Sequence, residues 1–269
     1  MNIILLTFGG GDKRYHDAKD RLVKQAEEFG LFNKIIGYTE QDLIEKYPEF
    51  WNKHSNFILN NKRGYGYWIW KSYIILDILK TLNENDILVY LDCGCEINIT
   101  DESKNRFLEY INIVKEHDNL LFHLEDKHKE IHWNKLDLLI HMNFIKFYSV
   151  KEGALGYEFD SKLFKSQAES GMQFYKKCDK NIKLLEESCE ICSNYHLIDD
   201  TISYKIGFRE FKEFIEHRHD QSVLSLLFKK YDYMTILDET YPPTMIGDKK
   251  QYPIWAIRNY SSESKIKYD

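Results

Sequence analysis

The first hundred residues alternate short, almost wholly apolar runs with longer stretches whose apolar residues recur every three or four positions. Asn2 to Phe8, polar inside only at Thr7, predicts a first strand. Ala18, Leu22, Val23, Ala26 and Phe29 then fall at helical spacing, which predicts a helix from Asp17 to Phe29, and Gly30 is placed to stop it. Lys34 to Tyr38 reads as a second short strand, residues 40 to 59 as mostly helical around Pro48, and Tyr67 to Leu82 as a long apolar helix. Ile87 to Leu91 is rich in β-branched and aromatic residues and suits a strand buried on both faces. The order β-α-β-α-α-β is that of a parallel sheet covered by helices.

Composition narrows this picture without redirecting it. A chain of 269 residues, 43% hydrophobic and 15% aromatic, can bury one large core or two fused lobes. One compact α/β domain over residues 1–260 is expected, with a polar, frayed tail over 261–269. A net charge of −6 argues against nonspecific binding to a nucleic-acid backbone, so an anionic ligand has to be met by local cations. No run of 18 apolar residues exists and the first residues lack the basic region of a signal peptide, which predicts no transmembrane segment and a cytoplasmic protein. The five cysteines are an odd number and imply no disulfide framework. Cys189-x2-Cys192-x3-His196 lacks a fourth ligand at a recognised spacing, so these cysteines read as residues of a helix from about Lys180 to Ser193.

Candidate chemistry begins where the third apolar run ends in Asp92-Cys-Gly-Cys-Glu96. Ligands in open α/β sheets lie beyond the carboxyl ends of strands. Two carboxylates on one side of an extended chain there suit a hard divalent cation that bridges protein to phosphates. Between the first strand and the first helix, Thr7-Phe-Gly-Gly-Gly-Asp12 offers backbone amides to a ligand, although its spacing is neither the dinucleotide fingerprint nor the P-loop. Asn60-Asn-Lys-Arg-Gly-Tyr-Gly-Tyr-Trp-Ile-Trp-Lys71 joins cations to aromatics: Arg63 can grip a phosphate through two N–H bonds, while several of its apolar residues belong to helix core. In Ser166-Gln-Ala-Glu-Ser-Gly171, residues Gln167, Glu169 and Ser170 can bond sugar hydroxyls, or simply form a turn. His217, His219 and Asp220 precede an apolar helical run, where Asp220 either caps the helix or acts as a base. His123, His128, His132 and His141 lack metalloprotease spacing and read as surface or acceptor-groove residues.

Phe8-Gly-Gly-Gly, Asn61-Lys-Arg-Gly-Tyr-Gly-Tyr-Trp-Ile-Trp-Lys71, Tyr90-Leu-Asp-Cys-Gly-Cys-Glu96, Ser193-Asn-Tyr-His-Leu-Ile-Asp-Asp200 and His217-Arg-His-Asp-Gln-Ser222 occur in one chain, in this order. Together they resemble a family of GT-A-fold glycosyltransferases from bacteria and large DNA viruses, over residues 2 to about 241. The resemblance implies a GT-A-like, Rossmann-like, mostly parallel sheet with flanking helices and a fused acceptor-side lobe, residues 1–110 forming the nucleotide-sugar half and 111–260 the acceptor half. It also implies that Asp92 resembles the first acid of the Asp-x-Asp motif that holds a divalent cation against the donor diphosphate. Gly94 stands where the second acid would be.

The expected function is therefore metal-assisted transfer of a hexosyl or related sugar from a nucleoside-diphosphate donor, UDP- or GDP-linked, to a hydroxyl of a glycan or small molecule. Nucleotidyl transfer on the same sheet and non-catalytic sugar binding are the alternatives. Asp220 is the expected base. Thr7, Phe8, Gly9, Gly10, Arg63, Tyr67, Lys71, Asp92, Gln167 and Ser170 are expected at the donor, and Asp92, Glu96 and His219 at Mn²⁺ or Mg²⁺. No nucleic-acid partner is expected, and the sequence leaves room for a homodimer.

Overall fold

The computed structural model describes residues 1–149, 155–204 and 210–266. Ten strands fall in the described residues: β1 Ile3–Phe8, β2 Lys34–Tyr38, β3 Ile87–Leu91, β4 Glu96–Ile97, β5 Asn119–His123, β6 Ile145–Ser149, β7 Leu155–Phe159, β8 Met172–Lys176, β9 Thr235–Leu237 and β10 Ile254–Trp255. Six form one sheet in the order β2-β1-β3-β8-β5-β9. Neighbours β2, β1 and β3 run parallel, β8 runs antiparallel to both β3 and β5, and β9 is parallel to β5. The expected mostly parallel α/β sheet is thus present, with one antiparallel strand inserted at its centre. β4 pairs with β10, and β6 with β7, as two small antiparallel ribbons.

The period of two along each strand separates the core into two faces. Ile4, Leu6, Phe8, Leu88 and Tyr90 point to one face and pack under helices Ile69–Thr81, Asp179–Cys192 and Asp220–Lys230. Ile3, Leu5, Ile87, Val89 and Leu91 point to the other, under Lys13–Phe29 and Asp101–His117. Every residue of β1 and of β3 is buried, which is why both read as unbroken apolar runs rather than alternating ones. Removing any one of these aliphatic side chains costs roughly 2–5 kcal/mol, so the strand ends that carry the polar residues are held firmly.

Local chemistry sets the helix ends. The first helix begins at Lys13, earlier than the apolar spacing predicts, because the Asp12 carboxylate accepts the Arg14 N–H and caps it. Gly30 ends it at φ 73° with its N–H on the Ala26 carbonyl. The helix expected from Tyr67 begins instead at Ile69, since Gly64, Tyr65, Gly66, Tyr67 and Trp68 all have positive φ, at 58, 52, 87, 52 and 58°. Tyr67 N–H bonds the Arg63 carbonyl at 2.8 Å and Trp68 N–H the Gly64 carbonyl at 3.1 Å, so the segment is one left-handed helical turn. Each non-glycine residue there costs about 1–2 kcal/mol. Gly66 is required, because a Cβ on it would lie 2.7 Å from Ile58 Cγ1 and 2.9 Å from Ile58 Cα.

The tail is not frayed over 261–266. Arg21 N–H groups bond the carbonyls of Asn259 and Ser261, Asn259 bonds the Glu263 carbonyl, and Ile266 is buried. Residues 267–269 lie outside the described residues. Among the described residues no helix is long and apolar enough to cross a membrane.

Candidate active site

The chain leaves β1 for β2 on one side and later returns to form β3 on the other side of β1. Such a reversal opens a crevice beyond the carboxyl ends of the two strands, the place where open α/β sheets bind ligands. Leu6 is level with Tyr90, so the segments beginning at Gly9 and at Asp92 emerge side by side at its rim. Gly9 is needed there because a Cβ would collide with the Tyr15 carbonyl oxygen at 2.2 Å. The glycine loop and Asp92 therefore share one edge, as the sequence predicts.

Asp92 lies two residues after Tyr90 and faces the same side, so the Tyr90 hydroxyl donates to Asp92 Oδ1 at 2.8 Å. That side carries the helices of Lys71 and Asp220. Lys71 Nζ sits 3.2 Å from Asp92 Oδ1 and 3.0 Å from Asp220 Oδ2, with Ser170 Oγ also donating to Asp220 Oδ2 at 2.9 Å. The Lys71 and Asp220 side chains are 2% and 7% exposed, whereas Asp92 is 37% exposed and forms the open end of the cluster. Burial opposes the Lys71 charge, but the two carboxylates outweigh it and hold its pKa above the ordinary lysine value. For Asp220 burial is the larger influence and its pKa is raised despite Lys71. Asp220 is not the helix cap: His219 occupies that position at φ 55°, and the Asp220 carboxylate turns to Lys71.

Other expected site residues are engaged elsewhere. Cys95 N–H bonds the Asp92 carbonyl at 2.9 Å in a tight turn. That turn breaks the extended-chain periodicity and sends Glu96 to the opposite face. There Glu96 is fully buried and accepts from Gln25, Asn259, Ser264 and the Lys265 N–H, so it anchors the C-terminal segment rather than a metal. Its pKa falls below the ordinary value because these bonds outweigh burial, the largest single influence. Gln167 is buried too, donating to Glu130 and accepting from Gln221, and does not reach the crevice with Ser170.

His219 donates from Nδ1 to the Ile198 carbonyl at 2.6 Å, burial lowers its pKa, and Asp200 Oδ1 stands 3.7 Å from its Nε2. Arg63, expected on phosphate, bridges Asp200 at 3.1 Å and Glu216 at the half-exposed surface, and the Tyr67 hydroxyl donates to Asp200 at 2.9 Å. Asp199 pairs with buried Lys135. Phe8 packs on Trp70 at 3.9 Å between ring centroids, and Thr7 is buried, its hydroxyl without a partner among the described residues. Gly10 lies beside the Phe8 ring and Glu40. Cys189 and Cys192 lie on the helix Asp179–Cys192, and His196 bonds Thr201 and Asp137 rather than joining them.

The structure gives Glu169 a more specific character than its place in a polar segment suggests, and adds Tyr260 and Arg258, which the sequence reading passed over. Burial and the neighbouring Asp238 push Glu169 up to about 8, against Arg218 and Arg258, with Asp92 adding to the rise. Tyr260 is drawn over the strand tip, where it would meet a Cβ on Gly94 at 2.8 Å, and it packs edge-on against Tyr15. Arg258 is exposed beside it with φ 50°. The aromatic and aliphatic run Ile254 to Ile257 is the one sequence signal that this terminal stretch would return to the sheet. A cavity of about 300 Å³ lined by Phe50, His54, Ile69, Tyr73 and Cys189 shares no residue with the cluster.

A divalent cation of the expected kind takes one or two carboxylates plus phosphate and water oxygens in a near-octahedral shell. Asp92 Oδ1 already accepts from Tyr90 and Lys71, Glu96 faces away, and among the described residues no three His, Cys, Asp or Glu side chains converge as ligands. The described residues therefore build no multi-ligand site for a resident divalent cation, and Asp92 alone offers a partly exposed carboxylate there.

No family model matches the chain, and no curated protein matches it. Among solved structures it is similar to mouse xyloside xylosyltransferase 1 at 12% identity, covering 90% of this chain and 87% of that one, with a TM-score of 0.43. It is also similar to a glycosyltransferase involved in glycosylation of the major capsid of PBCV-1, at 12% identity, 95% and 93% coverage and a TM-score of 0.45. A third is 4-diphosphocytidyl-2C-methyl-D-erythritol synthase from Anaerococcus prevotii, at 10% identity, 88% coverage of both chains and a TM-score of 0.34.

Proposed function

We propose that the protein transfers a sugar from a nucleoside-diphosphate donor to a hydroxyl acceptor, with the donor's reacting end at the β1–β3 crevice. The observation that carries this reading is the Asp92–Lys71–Asp220 cluster at the switch point of the sheet, beside the glycine loop. The motifs resembling GT-A glycosyltransferases contain those same three residues, which supports it.

In the proposed reaction the acceptor oxygen forms a bond to the anomeric carbon, the bond from that carbon to the β-phosphate oxygen breaks, and the nucleoside diphosphate leaves with the electron pair. Lys71 supplies fixed positive charge near the leaving group, which needs no reorganisation as charge develops. The half-open carboxylate of Asp92 orients the donor sugar through its hydroxyls. Asp220 already carries Lys71 and Ser170, so we assign receipt of the acceptor proton to Glu169, which adjoins Ser170 in the chain and lies close enough to Asp92 for that charge to add to its raised pKa. Asp220 then positions Lys71.

The test is incubation with UDP- and GDP-sugars, in chelator and with added Mn²⁺, while free nucleoside diphosphate is measured. Its release supports glycosyl transfer. Release of inorganic diphosphate from a nucleoside triphosphate would make the protein a nucleotidyltransferase, and sugar binding without turnover would make it a binding protein.

A further inference from the structure

We infer that Lys71 is the built-in cation of this site: its ammonium occupies the place between Asp92 and Asp220 that a divalent ion would take, so the protein gains a divalent-cation site only when the ammonium is removed. The inference concerns the crevice of the proposed reaction, but its metal-binding test stands without that reaction.

Three features hold the ammonium in place. A lysine has three N–H donors, and here they meet Asp92 Oδ1 at 3.2 Å, Asp220 Oδ2 at 3.0 Å and the Ser170 backbone and hydroxyl oxygens at 3.4 Å. Two aromatic faces flank it, with Nζ 5.7 Å from the Trp68 ring centroid and 5.5 Å from that of Tyr90, where the ring quadrupoles favour a cation. The left-handed turn over Gly64–Trp68 ends immediately before Ile69, so the backbone that aims Lys71 has little freedom to swing away.

A divalent ion entering beside the ammonium would meet a like charge at close range. The oxygens that face the ammonium are already engaged: Asp92 Oδ1 accepts from Tyr90 and Lys71, Asp220 Oδ2 from Lys71 and Ser170, and Glu96 is on the other face of the sheet. Without the ammonium, two carboxylates and the Ser170 oxygens would face one another across a vacated space with no counter-charge. Hard divalent ions bind oxygen sets of that kind.

The experiment measures Mn²⁺ binding by electron paramagnetic resonance on wild type, on Lys71→Met, which keeps an unbranched apolar stem but ends one atom short of the ammonium position, and on Lys71→Met/Asp92→Asn. Wild type is expected to bind at this site no tighter than about 1 mM, the weak end of protein cation sites. Lys71→Met should bind at least about tenfold tighter, and the added Asp92→Asn should remove the gain. Should Lys71→Met fail to fold, wild type and Asp92→Asn decide the matter. Wild-type binding in the micromolar range that Asp92→Asn abolishes would overturn the inference, as would a folded Lys71→Met that gains nothing, whereas wild-type binding that is weak and unchanged in Asp92→Asn supports it. In a second arm, nucleoside-diphosphate release in excess chelator should equal that with Mn²⁺. Release that requires added Mn²⁺ overturns the inference and leaves the glycosyl-transfer reading intact, while no release under any condition defeats that reading and leaves the Mn²⁺ measurement to decide this one.

Discussion

Asp220→Asn separates the architecture of the crevice from a simple helix start. Asp220 Oδ2 receives Lys71 Nζ at 3.0 Å and the Ser170 hydroxyl at 2.9 Å, in surroundings where Lys71 is 2% exposed. Removing one partner of a buried pair costs about 3–5 kcal/mol when the other charge is stranded. Lys71 is not stranded, because Asp92 remains 3.2 Å away, and Asn keeps an acceptor oxygen. The desolvation that raises the Asp220 pKa is also relieved. About 2 kcal/mol of destabilisation is therefore expected, close to the worth of one charge-assisted hydrogen bond. For a chain of this size that lowers the melting temperature by roughly 4–8 °C. If Asp220 were only an N-cap, Asn would serve nearly as well and the shift would be at most a few tenths of a kcal/mol. Thermal unfolding followed by circular dichroism at neutral pH distinguishes the two, and a melting temperature within about 1 °C of wild type would refute the buried Lys71–Asp220 pair. With a true acceptor in hand, a loss of roughly 10² to 10⁴ in turnover with the pH profile abolished would return the role of base to Asp220.

Glu169→Gln tests the raised carboxyl. Because its folded pKa of about 8 lies above the ordinary value, its contribution to stability is complete at acid pH and is lost as pH rises toward 8, so wild type should weaken relative to Glu169→Gln between pH 5 and 9. A difference in melting temperature that stays constant over that range would mean Glu169 titrates as an ordinary carboxylate. Glu96 is the opposite case, its pKa lowered by the bonds it accepts, so its stabilisation is present at neutral pH and lost as pH falls below the ordinary carboxylate range. Glu96→Gln should expose residues 257–266 to limited proteolysis at pH 7, and equal cleavage rates would show that this anchor contributes nothing. Arg63→Ala should change stability by no more than about 1 kcal/mol, as for exposed pairs, and calorimetric nucleoside-diphosphate affinity by less than about threefold; a tenfold loss would place Arg63 on the phosphates after all.

What the sequence made legible follows from the kind of signal each residue gives. β1 and β3 are buried on both faces, and their apolar runs mark them to the residue or nearly so. Asp92 was legible for the same reason, because a charge ending such a run is anomalous. Glu96 misled, since the argument from two carboxylates on one extended face fails when a single bond from Cys95 to Asp92 turns the chain. Arg63 misled in another way. A guanidinium suits carboxylates as well as phosphates, and only the fold reveals that Asp200 and Glu216, 137 and 153 residues away, arrive beside it. Glu169 shows locally only as one of several polar residues in a turn-like segment; its raised pKa comes from burial and from Asp238, which β9 delivers from far along the chain.

The placement of the central cluster has a common device that no periodicity announces. Asp92 is aimed by strand parity, at no cost. Lys71 and Asp220 belong to helices that each start directly after a residue of positive φ, Trp68 at 58° and His219 at 55°. Held outside glycine, such conformations cost about 1–3 kcal/mol apiece and persist only where surrounding contacts over-determine them. Here the contacts are mutual: the Trp68 and His219 rings stack with centroids 5.8 Å apart, and Tyr67 lies 4.8 Å from His219. The two strained caps thus brace each other beside the charges they aim, the Lys71 ammonium lying 5.7 Å from the Trp68 ring centroid and 3.0 Å from Asp220 Oδ2. Strain kept in place by such mutual contacts is common where a fold fixes side chains for a task, and here it falls on the two residues that precede the helices of Lys71 and Asp220, which supports the proposed site.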